Sequence, residues 1–271
     1  MAAGVYTTTK KDGSTYYRVS ITYRNKHISL GSFSDHTAAA NTYQTAKDIL
    51  ENPQKYYFFA ESGMEAFHSC PVNFPLDKYI VLLNFRENNI YIKTPIFLCK
   101  NYFLYILSAD TILTFNIDDL FYYSNHRIIP RGGYYYVNDY GMQTSILTRY
   151  GIRNHAVKGK DYIFRNGNEH DYRYENVLVV NRYNGVSQIE KNGRVMYRSR
   201  IHINGDFIIG TYASEAEAAV AYNKATDIIS PINGVTYTRN YIEELSAIEY
   251  AALYNRVRIS KKIINFPYKP S

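Results

Sequence analysis

The chain contains no tryptophan and only two cysteines, Cys70 and Cys99, among its 271 residues. Two cysteines exclude a disulfide-rich scaffold and a zinc site of four thiolates. Long apolar runs are also missing, since the longest, 96–107, contains Lys100 and Asn101 and is too short to cross a bilayer. The N-terminus has no basic stretch followed by an apolar one, the pattern of a secretion signal. We therefore expect a cytoplasmic protein that makes no membrane contact.

What the chain does contain is apolar, aromatic and basic. Hydrophobic residues make up 46% of it, which is enough for a folded core rather than a disordered chain. Tyrosine is unusually common, with 30 residues. The net charge of +7 favours a polyanionic partner. Residues 1–50 and 182–271 carry the excess of basic residues, while 51–181 are balanced.

Residues 183–230 have the pattern of three short strands followed by a helix. Asn192-Gly193 and Asn204-Gly205 separate runs of alternating apolar residues, which indicates two tight hairpins. In the middle strand, one face is largely apolar and the other carries Met196, Arg198, Arg200 and His202. Ser214 and Glu217 form a capping-box pattern that opens the helix. Its apolar stripe consists of Ala218, Tyr222, Ala225 and Ile229, and we expect this stripe to cover the apolar face of the sheet.

The same pattern occurs over residues 1–51, so the chain contains an internal repeat. The matching pieces, in order, are Gly4-Val5 with Gly185-Val186, Tyr17-Arg18 with Tyr197-Arg198, Leu30-Gly31-Ser32-Phe33 with Ile209-Gly210-Thr211-Tyr212, and Ala39, Ala40, Tyr43 and Ala46 with Ala218, Ala219, Tyr222 and Ala225. Asp12-Gly13 predicts the first hairpin. The residues predicted to face outward from this sheet are Arg18, Ser20, Thr22 and Arg24.

Both segments resemble the APETALA-two/ethylene-response-factor DNA-binding domain, whose three-stranded sheet lies in the DNA major groove. The resemblance implies double-stranded DNA as the partner. In the second copy, it implies base contacts from Arg198, Arg200 and His202 and backbone contacts from Lys191 and Arg194. In the first copy, the corresponding candidates are Arg18, Ser20, Thr22 and Arg24, with Lys10 and Lys11 on phosphates. For all of them, a solvated polar face is the alternative interpretation.

Residues 164–179 resemble the frame of the HNH homing nucleases. The matching residues are Gly167, Asn168, Asp171, Arg173 and Asn176. That family uses a histidine base and metal ligands to activate water, but here the base position is Phe164, the preceding ligand position is Ile163, and another family histidine aligns near Thr148. The resemblance therefore implies a nuclease scaffold without its catalytic residues, metal or cofactor. The alternative is a relocated metal site made of His155, His170 and Asp171.

The segment 52–139 is predicted to be mostly β, with a sheet core whose tyrosine hydroxyls lie at the rim or, alternatively, a platform on which bases stack. The predicted strands are 79–85, 89–94, 96–98, 102–107 and 111–115, followed by a short helix or turn at 118–123 and a turn at 131–133 into a strand at 134–137. Residues 240–258 predict one amphipathic helix with the stripe Ile242, Leu245, Ile248, Ala252 and Leu253. The basic residues near its end either complement the helix dipole or clamp phosphates: Arg256, Arg258, Lys261 and Lys262.

Together these patterns predict an α+β protein in which two sheet-plus-helix modules flank a central β-rich and ββα-type region. The predicted parts are 1–51, 52–139, 140–182, 183–230 and a helical extension at 231–271. The predicted function is sequence-specific binding of double-stranded DNA without cleavage, as in a regulator or a phage or mobile-element protein. Two alternatives remain open. One is a homing-type endonuclease with an altered active site, and the other is a protein-binding inhibitor that contacts its partner through 52–139.

Overall fold

The computed structural model describes residues 4–9, 11–61, 64–67, 70–153 and 156–267. The chain folds into two compact units. Unit 1 comprises the residues up to Thr144 together with Asn168–Asn176, and unit 2 comprises Ser145–Gly167 together with the residues from Val177 onward. Helices and small antiparallel sheets occur in both units, so the predicted α+β class is confirmed. The predicted segment 140–182 is shared between the two units.

Unit 1 begins with a three-stranded antiparallel sheet covered by a helix. Its elements are β1 (Val5–Thr9), β2 (Thr15–Tyr23), β3 (Lys26–Phe33) and α1 (His36–Glu51), with β2 in the middle of the sheet. The Asp35 side chain caps α1 by accepting the Ala38 N–H at 2.6 Å, which satisfies one of the free donors of the first turn. Ala39, Ala46 and Ile49 are fully buried, because these small and apolar residues let the helix lie close to the sheet.

The remainder of unit 1 is built around two further three-stranded sheets, ordered β6-β7-β8 and β11-β10-β9, and a β4-β5 hairpin. Its strands and helices are β4 (Phe58–Glu61), β5 (Met64–Phe67), α2 (Leu76–Asn88), β6 (Ile96–Leu98), β7 (Tyr102–Ser108), β8 (Thr111–Asn116), a 3-10 helix (Ile117–Asp119), α3 (Leu120–Asn125), β9 (Ile128–Arg131), β10 (Tyr134–Asp139) and β11 (Met142–Ser145). The predicted strands at 96–98, 102–107 and 111–115, the short helix and the turn at 131–133 are confirmed.

Two predicted strands of this region are wrong. Residues 79–85 lie within α2, and residues 89–94 form no strand, because Asn89 ends the helix with a left-handed backbone (φ 59°). Every residue from Tyr79 to Arg86 is buried. A helix that is buried all round has no amphipathic period, so its sequence cannot be distinguished from a buried strand.

Unit 2 contains the second sheet-plus-helix module and the C-terminal helices. Its elements are a 3-10 helix (Ile146–Tyr150), β12 (Tyr162–Phe164), β13 (Val177–Val179), β14 (Val186–Lys191), β15 (Arg194–His202), β16 (Asp206–Tyr212), α4 (Glu215–Asn233), α5 (Ala247–Arg256) and α6 (Lys261–Ile264). β12 pairs with β13, and β15 is the middle strand between β14 and β16. The stretch from β13 to Ser214, all of which is described, contains no helix that would complete a ββα unit.

Helix α4 follows the predicted pattern closely. The Ser214 hydroxyl accepts the Glu217 N–H at 3.2 Å, as expected for its cap. The predicted stripe of Ala218, Tyr222, Ala225 and Ile229 is buried. The helix continues past the predicted boundary at 230 and ends at Asn233, where Gly234 adopts the left-handed conformation with φ 68°.

The predicted helix at 240–258 is shorter than expected, since α5 covers only Ala247–Arg256. A complete capping box between Ser246 and Glu249 fixes its start. Ile242 and Leu245 lie outside the helix, and Ile248 and Ala252 are exposed, so the predicted stripe is confirmed only at Leu253. The physical reason is that Asn223 of α4 holds the backbone of Asn240 outside the helix, accepting its N–H at 2.8 Å and donating to its carbonyl at 2.9 Å.

The two modules share details that hairpin and helix patterns alone do not specify. In each module the middle strand is paired with a bulge in the third strand: Ser20 pairs with Ser29 and Arg200 with Ile208, which leaves the buried Leu30 and Ile209 unpaired.

No helix in the described ranges is both long and apolar enough to span a membrane.

Candidate nucleic-acid interface

The outer face of each sheet carries one row of side chains that is repeated between the modules. In unit 1 the row across the three strands is Tyr6, Arg18 and Ser32. In unit 2 it is Ser187, Arg198 and Thr211. Both rows therefore place an exposed arginine on the middle strand between two hydroxyl side chains. Arginine and hydroxyl groups are donors that contact both base edges and phosphates, so this row is a suitable nucleic-acid contact.

Arg18 and Arg198 differ in what holds them. The Arg18 guanidinium donates to the Tyr16 hydroxyl at 3.0 Å and lies 5.5 Å from the centre of the same ring. Arg198 is exposed, and its side chain has no hydrogen bond or ion pair with any residue in the described ranges. Arg18 is therefore oriented before any partner binds, whereas Arg198 is available to an anion.

The other predicted base-reading residues of unit 2 share one carboxylate. Asp206 accepts from Arg200 Nη1 at 2.7 Å and contacts His202 Nδ1 at 3.0 Å. The pKa of Asp206 lies below its usual value because of the hydrogen bond from His202 and the positive charges of Arg200 and Lys160. Arg200 and His202 are thus brought together on the outer face as predicted. The sequence analysis did not foresee Asp206, which lies directly opposite His202 in the strand register.

Two predicted contacts of the first module are placed differently from the expectation. Ser20 was expected to face outward, but it is only 7% exposed, because so short a side chain on the middle strand does not reach past its neighbours. Arg24 was also expected on the outer face. Its side chain instead caps the C-terminus of α2, donating to the Arg86 carbonyl at 3.2 Å and to the Asn89 side chain. Thr22 is exposed as predicted.

The hairpin tips present the predicted phosphate contacts to solvent where the structure describes them. Lys191 and Arg194 are exposed and paired across the Asn192-Gly193 turn, in which both residues have positive φ as a tight hairpin requires. Lys11 is exposed in the first hairpin. Lys10 lies outside the described residues.

A cleft of about 600 Å³ lies over the outer face of the second sheet. One wall is the sheet itself, and the other is formed by the chain around β12 and β13. The cleft is lined by Gly159, Lys160, Val180, Asn181, Ser187, Gln188, Ile189, Arg198, Arg200, Asp206 and Ile208. The sequence analysis missed Lys160 because no local pattern brings residue 160 to a strand almost forty residues later in the chain.

Hydrogen bonds within the chain hold the segment 168–176, in which the nuclease resemblance was predicted. Arg173 binds both oxygens of Asp171, at 2.9 and 2.7 Å, and Asn176 donates to the Asp171 carbonyl at 2.7 Å. The His170 ring packs edge-on against Tyr135. Asp171 is buried and has a guanidinium where a metal ligand needs an open oxygen, which argues against the relocated metal site. His155, its third member, lies outside the described residues.

The positions that the resemblance aligns with nuclease catalytic residues are occupied by side chains that pack or hydrogen-bond within the protein. Ile163 and Phe164 lie in β12, paired with Leu178 and Val177, and the Phe164 ring contacts that of Tyr162. Thr148 lies in the 3-10 helix, where its hydroxyl donates to the Ser145 carbonyl at 2.7 Å. Across the described part of the chain, no group of three or more His, Cys, Asp or Glu side chains is arranged to hold a metal ion.

The C-terminal basic residues lie beside the second sheet. The Ser260 N–H donates to the Ile209 carbonyl at 2.8 Å, and the Tyr212 hydroxyl donates to the Arg258 carbonyl at 2.8 Å, so this segment follows the edge of β16. Lys224 occupies the C-terminus of α5, donating to the carbonyls of Tyr254 and Val257. The predicted basic residues are exposed: Arg256, Arg258, Lys261 and Lys262.

The tyrosine-rich region of unit 1 is mainly core. Tyr79, Tyr105 and Tyr123 are among the largest fully buried side chains of the protein. Burial accounts for these tyrosines without a base-stacking role. On the surface of the same unit, Phe121 and Tyr140 are 83% and 99% exposed.

Comparisons with protein families, with curated proteins and with solved structures find no match for this chain.

Proposed function

We propose that this protein is a cytoplasmic, sequence-specific binder of double-stranded DNA that uses the outer faces of its two sheets. The observation that supports this most strongly is the repeated row of hydroxyl, arginine and hydroxyl side chains, Tyr6-Arg18-Ser32 and Ser187-Arg198-Thr211. In each module a helix covers the opposite face, so the row is the side of the sheet that is left for a partner. The resemblance to the APETALA-two/ethylene-response-factor domain points to the same faces.

The chemistry of the row fits DNA. An arginine that forms two hydrogen bonds with guanine contributes about 1–3 kcal/mol of discrimination against other bases. The exposed Lys191 and Arg194 at the hairpin tip suit phosphates, which position a protein on DNA without reading its sequence. Two modules in one chain make the second contact intramolecular, which raises the overall affinity above that of either module alone.

Cleavage is not part of the proposal. Phe164 and Ile163 cannot accept a proton or bind a metal, and Asp171 is neutralised by Arg173. The protein would then act as a regulator, or as a phage or mobile-element protein, that holds its target without cutting it.

The test is selection of duplexes from a random library with magnesium present, followed by a denaturing gel. We expect an enriched sequence with intact strands. Arg18→Ala, which removes the arginine that Tyr16 orients, should lower affinity for that sequence by about 1–3 kcal/mol, roughly 5- to 150-fold, and affect a scrambled duplex less. Lys47→Ala, an exposed lysine on α1, the helix that covers the other face of the same sheet, is the matched control and should change affinity little.

Three outcomes would contradict the proposal. Equal losses on selected and scrambled duplexes for Arg18→Ala would limit the role of Arg18 to phosphate contact. Cut strands would favour the endonuclease. No enrichment would favour the second candidate, a protein-binding role for unit 1, which the exposed side chains of Phe121 and Tyr140 support. In that case a complex that survives high salt should be lost in the Phe121→Ala, Tyr140→Ala double variant.

A further inference from the structure

The cleft over the second sheet makes this module different from a flat, open sheet face. Lys160, in the turn before β12, lines the same space as Arg198 and Arg200 of β15. At about 600 Å³, the cleft has the size of a site for a small ligand or a short piece of a chain, within the usual range of about 300–1,000 Å³.

The loop that carries Lys160 is fixed by a buried amide. The Asn181 side chain, only 5% exposed, donates to the Lys160 carbonyl at 2.9 Å and to Asp161 Oδ1 at 3.1 Å. Its oxygen accepts the Gln188 N–H of β14 at 2.8 Å. This network ties the loop to the first strand of the sheet. The backbone of Lys160 is therefore placed relative to the sheet, while its ammonium group remains exposed.

The charges in the cleft do not balance. Lys160, Arg198 and Arg200 face one carboxylate, Asp206, which binds Arg200. In the part of the chain that the structure describes, the side chains of Lys160 and Arg198 have no hydrogen bond or ion pair. Lys160 is near enough to Asp206 to contribute to its lowered pKa. Two uncompensated cations that line one cleft are a site for an anion.

We propose that this cleft is a phosphate-binding site in which Lys160 and Arg198 hold a backbone phosphate of the bound DNA from opposite walls. The proposal rests on the proposed DNA-binding function and adds Lys160, which lies outside the sheet module. Ser187 supplies a hydroxyl donor on the same wall as Arg198, and the exposed Ile208 offers an apolar surface for the adjacent sugar. Arg200, held by Asp206, flanks the site.

The test has two arms, both on the full-length protein. In the first, inorganic phosphate is titrated while amide NMR signals are followed. We expect shifts confined to the residues around 160, 187 and 198, and we expect Lys160→Ala to abolish them. In the second, affinity for the selected duplex is measured against salt. Lys160→Ala should reduce the slope of log affinity against log salt by about 0.9, the contribution of one phosphate, and lower affinity equally on selected and scrambled DNA.

Two variants serve as controls. Lys160→Arg keeps the charge and should keep the slope. Arg165→Ala removes an exposed cation that does not line the cleft and should leave both readouts unchanged.

The outcomes separate this proposal from the proposed function. DNA binding with an unchanged slope in Lys160→Ala, and no phosphate shifts, would overturn the cleft site and leave DNA binding intact. Phosphate shifts in a protein that binds no DNA would support the phosphate site, reject DNA as its source and point to a free phosphate-bearing ligand. Phosphate shifts spread over the whole basic surface would overturn the site.

Discussion

We expect the replacement of Gly185 by alanine to destabilise the second module strongly, although Gly185 lies only at the start of a strand. Gly185 has φ +69°, where a side chain costs about 1–2 kcal/mol. An added Cβ would also lie within 3.0 Å of the Arg200 carbonyl oxygen and of the Tyr222 ring. Neither neighbour can yield easily. Arg200 belongs to the middle strand and donates its N–H to the Gly185 carbonyl at 2.8 Å, and Tyr222 is a buried residue of α4.

The magnitude follows from a matched position in the same sheet. Gly193, in the first hairpin turn of the module, also has φ +69°, but a Cβ there would meet no atom within 4 Å. Gly193→Ala should therefore cost only the backbone penalty of about 1–2 kcal/mol. In Gly185→Ala the added Cβ also forces α4 away from the sheet. The substitution therefore belongs to those that lower the free energy of unfolding by about 4 kcal/mol or more. That is a large part of a domain's usual stability of about 5–15 kcal/mol.

The assay is urea unfolding followed by amide NMR signals of α4, so that unit 2 is scored by itself. We expect Gly185→Ala to lower the free energy of unfolding by at least 2 kcal/mol more than Gly193→Ala does, a difference that reflects contact and not φ. Gly4 and Gly13 repeat the comparison in unit 1, since Gly4 is crowded by Tyr43 and the Ser20 carbonyl and Gly13 is not. Equal losses within either pair would refute the reasoning.

Two further predictions concern charge on the second module. Asp206→Asn removes the one carboxylate that lines the cleft and releases Arg200 and His202, so DNA affinity should rise by about 1 kcal/mol, roughly fivefold, in low salt. Asp227→Asn, on α4, is the control, and an unchanged or lower affinity for Asp206→Asn would show that Arg200 needs the carboxylate for its orientation. Burial raises the pKa of Tyr212 to about 12 from its usual 10.0, so the folded state favours the neutral phenol. The stabilisation from burying the neutral phenol is fully present below about pH 10 and is lost as the pH rises to about 12. Tyr212→Phe should therefore flatten the fall in the free energy of unfolding that urea unfolding measures across that range.

The sequence predicts the two modules well because their signals are local. Tight turns, helix caps and alanine-rich stripes each depend on residues a few positions apart, and Asn192-Gly193 and Ser214 are where these patterns place them. Helix α2 was missed for the opposite reason. Its apolar run is buried on all sides by residues distant in the sequence, so no periodicity marks it as a helix.

The candidate site could be predicted only in part, for a similar reason. Alternation along the middle strands places Arg18 and Arg198 on the outer face, and the structure agrees. Alternation cannot show that Arg24 turns back to cap α2, because that contact joins residues about sixty positions apart. Alternation also cannot show that Lys160 and Asp206 line one cleft, because that cleft depends on how the chain around β12 packs on the sheet.

The two modules retain the same scaffold but not the same outer face. The glycine at the sheet's start, the bulge in the third strand and the alanine stripe are common to both. Beside the shared arginine row, however, Thr22 and His27 of the first module correspond in register to His202 and Asp206 of the second. If these faces contact DNA as proposed, their hydrogen-bond donors and charges decide which bases are favoured. Under the proposed function, two tethered copies with unlike faces suit a DNA target made of two different half-sites, rather than a repeat of one sequence.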